Sequence, residues 1–182
     1  MSSRHVALIR GINVGRAKRV AMADLRALVE GLGYRDVRTL LNSGNLVFTV
    51  PASSRKGPAR RIEDAMPERL GVSARVTVLS VEELAAVVAE NPLGRIADDP
   101  SRLLVTVLTD PADRKGLLPL ARKQWSPEAL GVGTRAAYVW CPKSMLESPL
   151  FAAVTRLLGD RATTRNWATI TKLHALVRAG AE

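Results

Sequence analysis

Apolar residues fall in short runs and stripes along the first eighty positions, and their spacing names the elements. The run Val6-Ala-Leu-Ile9, ended by Gly11, predicts a buried strand. Met22, Leu25, Val29 and Leu32 recur at helical spacing, and Gly31 and Gly33 supply the stop. Residues 37–41 and 46–50 read as strands joined by Asn42-Ser43-Gly44-Asn45, a turn-rich stretch that predicts a hairpin. A second helix opens at Pro58 and carries Ile62, Met66 and Leu70, and Pro67 should kink or shorten it. Val72, Ala74, Val76 and Val78 alternate as a fourth strand. The order β-α-β-β-α-β is the ferredoxin-like plan.

Beyond it, Ser80 with Glu83 forms a capping box, followed by Leu84, Val87 and Val88 on one helical face. That helix stops at Asn91-Pro92 and leads to a linker containing Asp98-Asp99-Pro100. The second half repeats the plan more loosely. Residues 103–108 are a strand, and Asp110-Pro111 opens a helix as N-cap and first-turn proline. Residues 131–133, glycine at both ends, read as a turn before a strand at 136–140. Leu146, Leu150, Val154 and Leu157 form a helical stripe ended by Gly159. An extended piece at 161–165 precedes a last helix bearing Trp167, Ile170, Leu173 and Val177. The expected fold class is α/β of the α+β kind: two ferredoxin-like halves with antiparallel sheets, plus a C-terminal helix. The expected divisions are 1–80, a connecting helix and linker at 81–101, and 102–182.

A chain of 182 residues buries about 70% of its unfolded surface on folding, so no covalent staple is required. One cysteine, Cys141, excludes a disulfide framework and a multi-cysteine metal site. No secretory leader or membrane span is visible, and a cytoplasmic location is expected. The formal charge of +10 points toward anionic partners. It is spread evenly, however: residues 1–91 hold 14 basic against 9 acidic side chains, and residues 92–182 hold 13 against 8. Only the beginning is polarised, since Arg4, Arg10, Arg16, Lys18 and Arg19 all precede the first acid, Asp24.

Gly11-Ile-Asn-Val-Gly15 follows a strand but lacks the spacing of a dinucleotide fingerprint or a P-loop, and HExxH, CxxC and GxSxG are absent. His5, His174 and Cys141 read as packed or element-edge residues, and the three tryptophans as core or edge anchors. No metal or organic cofactor is implied. Three polar patches remain: Arg10 to Arg16, Ser43-Gly44-Asn45, and Thr163-Thr-Arg-Asn-Trp167. Turn chemistry explains each by itself, with Asn166 capping the last helix. The fold joins the first two, because strands one and three of a ferredoxin-like unit are neighbours. Arg10, Asn13, Ser43 and Asn45 should then converge on one edge that suits a carboxylate or phosphate, with Gly11 and Gly44 giving access to backbone N–H groups. Arg165 and Asn166 are candidates for a second wall.

The same residues carry a family resemblance. Ala7-Leu-Ile-Arg-Gly-Ile-Asn-Val-Gly15, Met22-Ala-Asp-Leu-Arg26, Leu32-Gly33, Val37-Arg-Thr and Ser43-Gly-Asn-Leu-Val-Phe48 resemble the N-terminal signature of the family called domain of unknown function 1697. Tyr138, Pro142, Ser148 and Leu150, and then Thr164-Arg-Asn-Trp167 with Thr169 and Lys172-Leu173, are similar to its later motifs. The resemblance implies a duplicated ferredoxin-like fold and no known activity. Arg16 stands where the family often has glycine, and Ser144, Leu146 and Glu147 occupy a stretch usually glycine-containing and basic.

Three functions compete. The first is binding, with or without turnover, of a phosphate- or carboxylate-bearing small ligand at the Arg10/Asn45 edge. The second is RNA or DNA binding, favoured by charge and opposed by an aromatic content of only 4%, too few rings for base stacking. The third is a structural or protein-interaction module. No nucleophile is identifiable, and nothing in the sequence indicates an oligomeric state.

Overall fold

A computed structural model describes residues 2–52 and 57–179. Its first part runs β1 (Ser3–Ile9), α1 (Met22–Gly31), β2 (Arg35–Leu40), β3 (Asn45–Val50), α2 (Pro58–Leu70) and β4 (Val76–Ser80). The four strands form one sheet in the order β2-β3-β1-β4, every neighbouring pair antiparallel. Strand alternation sorts the side chains. Ala7, Ile9, Leu46, Phe48 and Val76 share one buried cluster with Leu25, Leu28 and Val29 of α1 and Ile62 and Met66 of α2. Each such fully buried large aliphatic or phenyl side chain contributes about 1.5–3 kcal/mol relative to exposure.

Two expectations for this part need correction. Helix α2 is not cut short at Pro67 but continues to Leu70, where Gly71 (φ 65°) closes it by donating to Pro67 O at 3.0 Å. Strand β4 begins only at Val76, whose N–H donates to Glu63 Oε1 at 2.7 Å. Val72 and Ala74 pack against the core from the loop before it, so their alternation reflects burial without ladder hydrogen bonds.

The chain continues through α3 (Val81–Ala89), β5 (Leu103–Leu108), a 3₁₀ turn at Pro111–Asp113, α4 (Arg114–Ala121), β6 (Ala129–Val132), β7 (Ala136–Trp140), α5 (Pro149–Leu158), a 3₁₀ turn at Gly159–Arg161, β8 (Ala162–Asn166) and α6 (Trp167–Arg178). The second sheet, β6-β7-β5-β8, repeats the order of the first and is again antiparallel throughout. Leu104, Leu108, Ala137 and Val139 cluster with Leu117 of α4 and Leu150, Val154 and Leu158 of α5. The Ser80–Glu83 capping box forms reciprocally: Ser80 N–H donates to Glu83 Oε2 at 2.9 Å, and Glu83 N–H to Ser80 Oγ at 3.2 Å.

Here too the sequence misleads at two places. Gly131 lies inside β6, opposite Tyr138, and not in a turn. A Cβ at Gly131 would overlap the ring of Pro92, so glycine is needed for close approach rather than for a bend. Leu146 stands outside α5, 88% exposed, because Ser148 caps the helix and Pro149 opens it. The buried stripe is Leu150, Val154 and Leu158, while Leu157 is only partly covered, 38% exposed.

The molecule divides into two compact units, one of Met1–Leu84 with Ala175–Glu182 and the other of Ala85–His174. Within the first, Arg4 of β1 donates from Nη1 to Val177 O of α6 at 2.8 Å. Among the described residues, no helix is long and apolar enough to cross a membrane.

Candidate anion-binding edge

The end of β1 and the hairpin between β2 and β3 meet as the strand order requires. Leu8 stands opposite Asn45, and Ile9 N–H donates to Gly44 O at 2.8 Å. Arg10 follows directly, exposed, its N–H donating to Arg75 O at 2.8 Å. Arg10, Asn13, Ser43 and Asn45 thus occupy one end of the first sheet.

Their amides serve the protein itself. Asn45 is fully buried and donates from Nδ2 to Leu40 O and to Ser43 Oγ, both at 2.9 Å. These bonds close the hairpin from within. Asn13 adopts a left-handed conformation (φ 56°) and bonds like a short piece of strand. Its Oδ1 accepts from Val20 N–H at 2.8 Å, while Nδ2 donates to Val20 O at 2.8 Å and to Asn42 O at 2.7 Å. It therefore fastens the 11–20 loop onto the hairpin. Gly44 (φ 79°) sits where a Cβ would meet the side chains of Ile9 and Ile12 at 2.8 Å. Its glycine serves turn geometry and packing together.

What this fastening creates is a cleft of about 550 Å³ lined by Asn13, Arg19, Val20, Ala21, Met22 and Asn42. Helix α1 starts at its wall. The N-cap position is Ala21, extended (φ −70°, ψ 137°), and no side chain accepts from the first-turn N–H groups. Unmatched donors at a helix start, with its partial positive charge, favour an anion. Asp24 in the first turn partly offsets that charge. Arg10, Arg16, Lys18 and Arg19 are all exposed around the same loop, and Lys18 Nζ donates to Ser73 O at 3.1 Å. Sequence reading missed Arg19 to Met22 as lining. The signal was present in a basic residue followed by a helix start without Ser, Thr, Asp or Asn at its cap.

Arg165 and Asn166 lie on β8 of the second unit. Arg165 donates from Nη1 to Thr163 Oγ1 at 3.0 Å and to Thr164 O at 2.9 Å, and burial pushes its guanidinium down to about 10, still cationic at neutral pH. Asn166 Oδ1 accepts from Thr169 N–H at 2.9 Å, the expected cap of α6. Cys141 is buried, and that burial pushes its thiol up, away from the thiolate a nucleophile needs. Among the described residues, no group of three or more His, Cys, Asp or Glu side chains is placed to hold a metal ion.

Two sheets of identical order, each covered on one face by a pair of helices, define a protein of two ferredoxin-like halves. The chain belongs to the family described as protein of unknown function (DUF1697), whose model matches residues 2–138. That stretch includes Arg10, Asn13, Ser43 and Asn45 and ends at Tyr138; the similarities noted from Pro142 onward lie outside it. The fold is similar to a solved structure, the conserved bacterial protein SP0830 from Streptococcus pneumoniae. The TM-score is 0.79 at 23% identity, covering 97% of this chain and 99% of that one. At this identity the likeness is one of fold. No curated protein matches the chain.

Proposed function

We propose that this protein binds a small phosphate- or carboxylate-bearing ligand at the Arg10/Asn45 end of the first sheet, in a cytoplasmic setting. The observation that supports this best is the cleft between the hairpin and the start of α1. There Arg19 and a helix start lacking a side-chain cap line one concavity, with Arg10, Arg16 and Lys18 on the adjoining loop. Asn13 and Asn45 are positioning residues in this reading, holding loop and hairpin at the spacing that leaves the cleft open. The chemistry of the cleft is recognition; it contains no group suited to act as a nucleophile. Arg165 and Asn166 lie in the second unit, where Arg165 donates to Thr163 and Thr164 and Asn166 caps α6, and they are given no part in it.

The test is titration of the full chain with inorganic pyrophosphate, followed by amide NMR shifts. Saturable shifts should appear at residues 19–24 and 42–45. Arg19→Ala should weaken binding by about tenfold or more, the loss of one charge-assisted hydrogen bond of about 1.5–3 kcal/mol, with Tm nearly unchanged. Absence of binding at about 10 mM, a level that would detect even millimolar affinity, removes the proposal. So does an Arg10→Ala, Arg19→Ala double variant that loses stability yet binds pyrophosphate as tightly as before.

A further inference from the structure

We infer that a second site lies in the second unit: a cleft around Trp125 built to take a small organic cation, an amine carried on a compact apolar stem. The cleft holds about 260 Å³. A cavity of about 150 Å³ is known to accommodate benzene, so a ring with a short stem fits. Its walls are Trp125 and the rings of Pro127, Pro142 and Pro149, with Glu128 and Glu147 among the polar groups.

The Trp125 side of the cleft is held by the protein's own hydrogen bonds. Trp125 Nε1 donates to Leu120 O at 2.8 Å, and the indole packs partly against the core of this unit. Glu128 N–H donates to Trp125 O at 2.9 Å, tying the carboxylate's residue to the tryptophan's. Proline rings have almost no rotamer freedom to lose, so little ordering cost opposes binding.

Charge selects the ligand. This protein carries +10 overall, yet this cleft has two carboxylates against one ammonium, Lys143. The start of α5 borders it through Pro149 and would ordinarily attract an anion, but its donors are taken. Leu150 N–H donates to Glu128 Oε2 at 3.2 Å and Phe151 N–H to Ser148 Oγ at 2.8 Å. The helix's positive end is matched by the protein's own carboxylate, and Glu147 adds a further negative charge. Trp125 and the Glu147 carboxylate, lining one cleft, offer an alkylammonium cation–π and Coulombic attraction together.

The experiment uses the full chain labelled with ¹⁵N and reads the three tryptophan indole N–H signals, with Trp125 assigned by Trp125→Phe. The probes are 2-phenylethylamine, its neutral counterpart 2-phenylethanol and the anionic phenylacetate. The amine should shift the Trp125 signal saturably and leave Trp140 and Trp167 in place, with the alcohol and acid at least about tenfold weaker. Glu147→Gln should weaken the amine several-fold and leave the alcohol's affinity unchanged. Four results would each overturn the inference: no shift at about 10 mM amine, equal affinity for all three probes, tighter binding of phenylacetate, or an amine affinity indifferent to Glu147→Gln.

Discussion

Gly44 and Gly11 have similar backbones, φ 79° and 69°, but different surroundings. A Cβ on Gly11 would meet open space, whereas one on Gly44 would press on Ile9 and Ile12 at 2.8 Å. Gly11→Ala should therefore cost only the left-handed conformational term of about 1–2 kcal/mol. Gly44→Ala adds overpacking of about 1–3 kcal/mol, so its denaturation midpoint in urea should fall clearly further. Equal losses would show that the isoleucines yield without cost. Tyr138 offers a pH-dependent case. Its hydroxyl donates to Val87 O at 2.5 Å, and burial, aided by Glu90, pushes the phenol well above its ordinary value. The unfolded phenol ionises near pH 10, so the stability Tyr138 contributes is whole below that and is lost as pH climbs toward the folded value. Arg165 acts oppositely in this range. Its guanidinium, pushed down to about 10 in the fold, gives the unfolded chain more bound protons above that pH. Comparison with Tyr138→Phe separates them. The wild-type advantage, about 1–3 kcal/mol at neutral pH for a buried acceptor left unpaired, should shrink above about pH 10.

Elements with a local signature are legible in the chain. The capping box at Ser80 and Glu83 sits three residues apart and forms as those residue types dictate. Removing it by Ser80→Ala should cost about 1 kcal/mol, measurable as a lower urea midpoint with an unchanged slope. No change would mean that the β4–α3 junction holds without the cap. Strand β6 escapes because its evidence lies far off in sequence. Four residues with a central glycine carry no alternation, and the reason for that glycine, Pro92, is some forty positions away. The start of α5 misleads differently: Leu146 continues the helical spacing, but Ser148-Pro149 marks the true opening. In the candidate site, the placing of the end of β1 beside the β2–β3 hairpin follows from strand order, and of Arg10, Asn13, Ser43 and Asn45 only Asn13 lines the cleft. That Asn13 and Asn45 turn their amides inward depends on the loop path from 11 to 20, which no periodicity encodes.

At the scale of the whole molecule, the charge of +10 and the exposed loop bearing Val14, Arg16, Lys18 and Arg19 are expected to give nucleic acids a weak hold. Duplex DNA binding should be indifferent to sequence, and its log affinity should fall with log salt by roughly 0.9 per phosphate contacted. A tight, sequence-selective complex at physiological salt would instead make nucleic acid the principal partner. The division of the chain has a consequence for its synthesis. The first unit comprises everything up to Leu84 and then the segment from Ala175 onward, about ninety residues later. At about 5–20 residues per second, a ribosome needs roughly 5–20 s to cross that interval. Throughout it, β1 exists without the Val177 carbonyl to which Arg4 donates. The half that is made first is finished last, so a slow codon anywhere in the second unit lengthens the time the first spends incomplete.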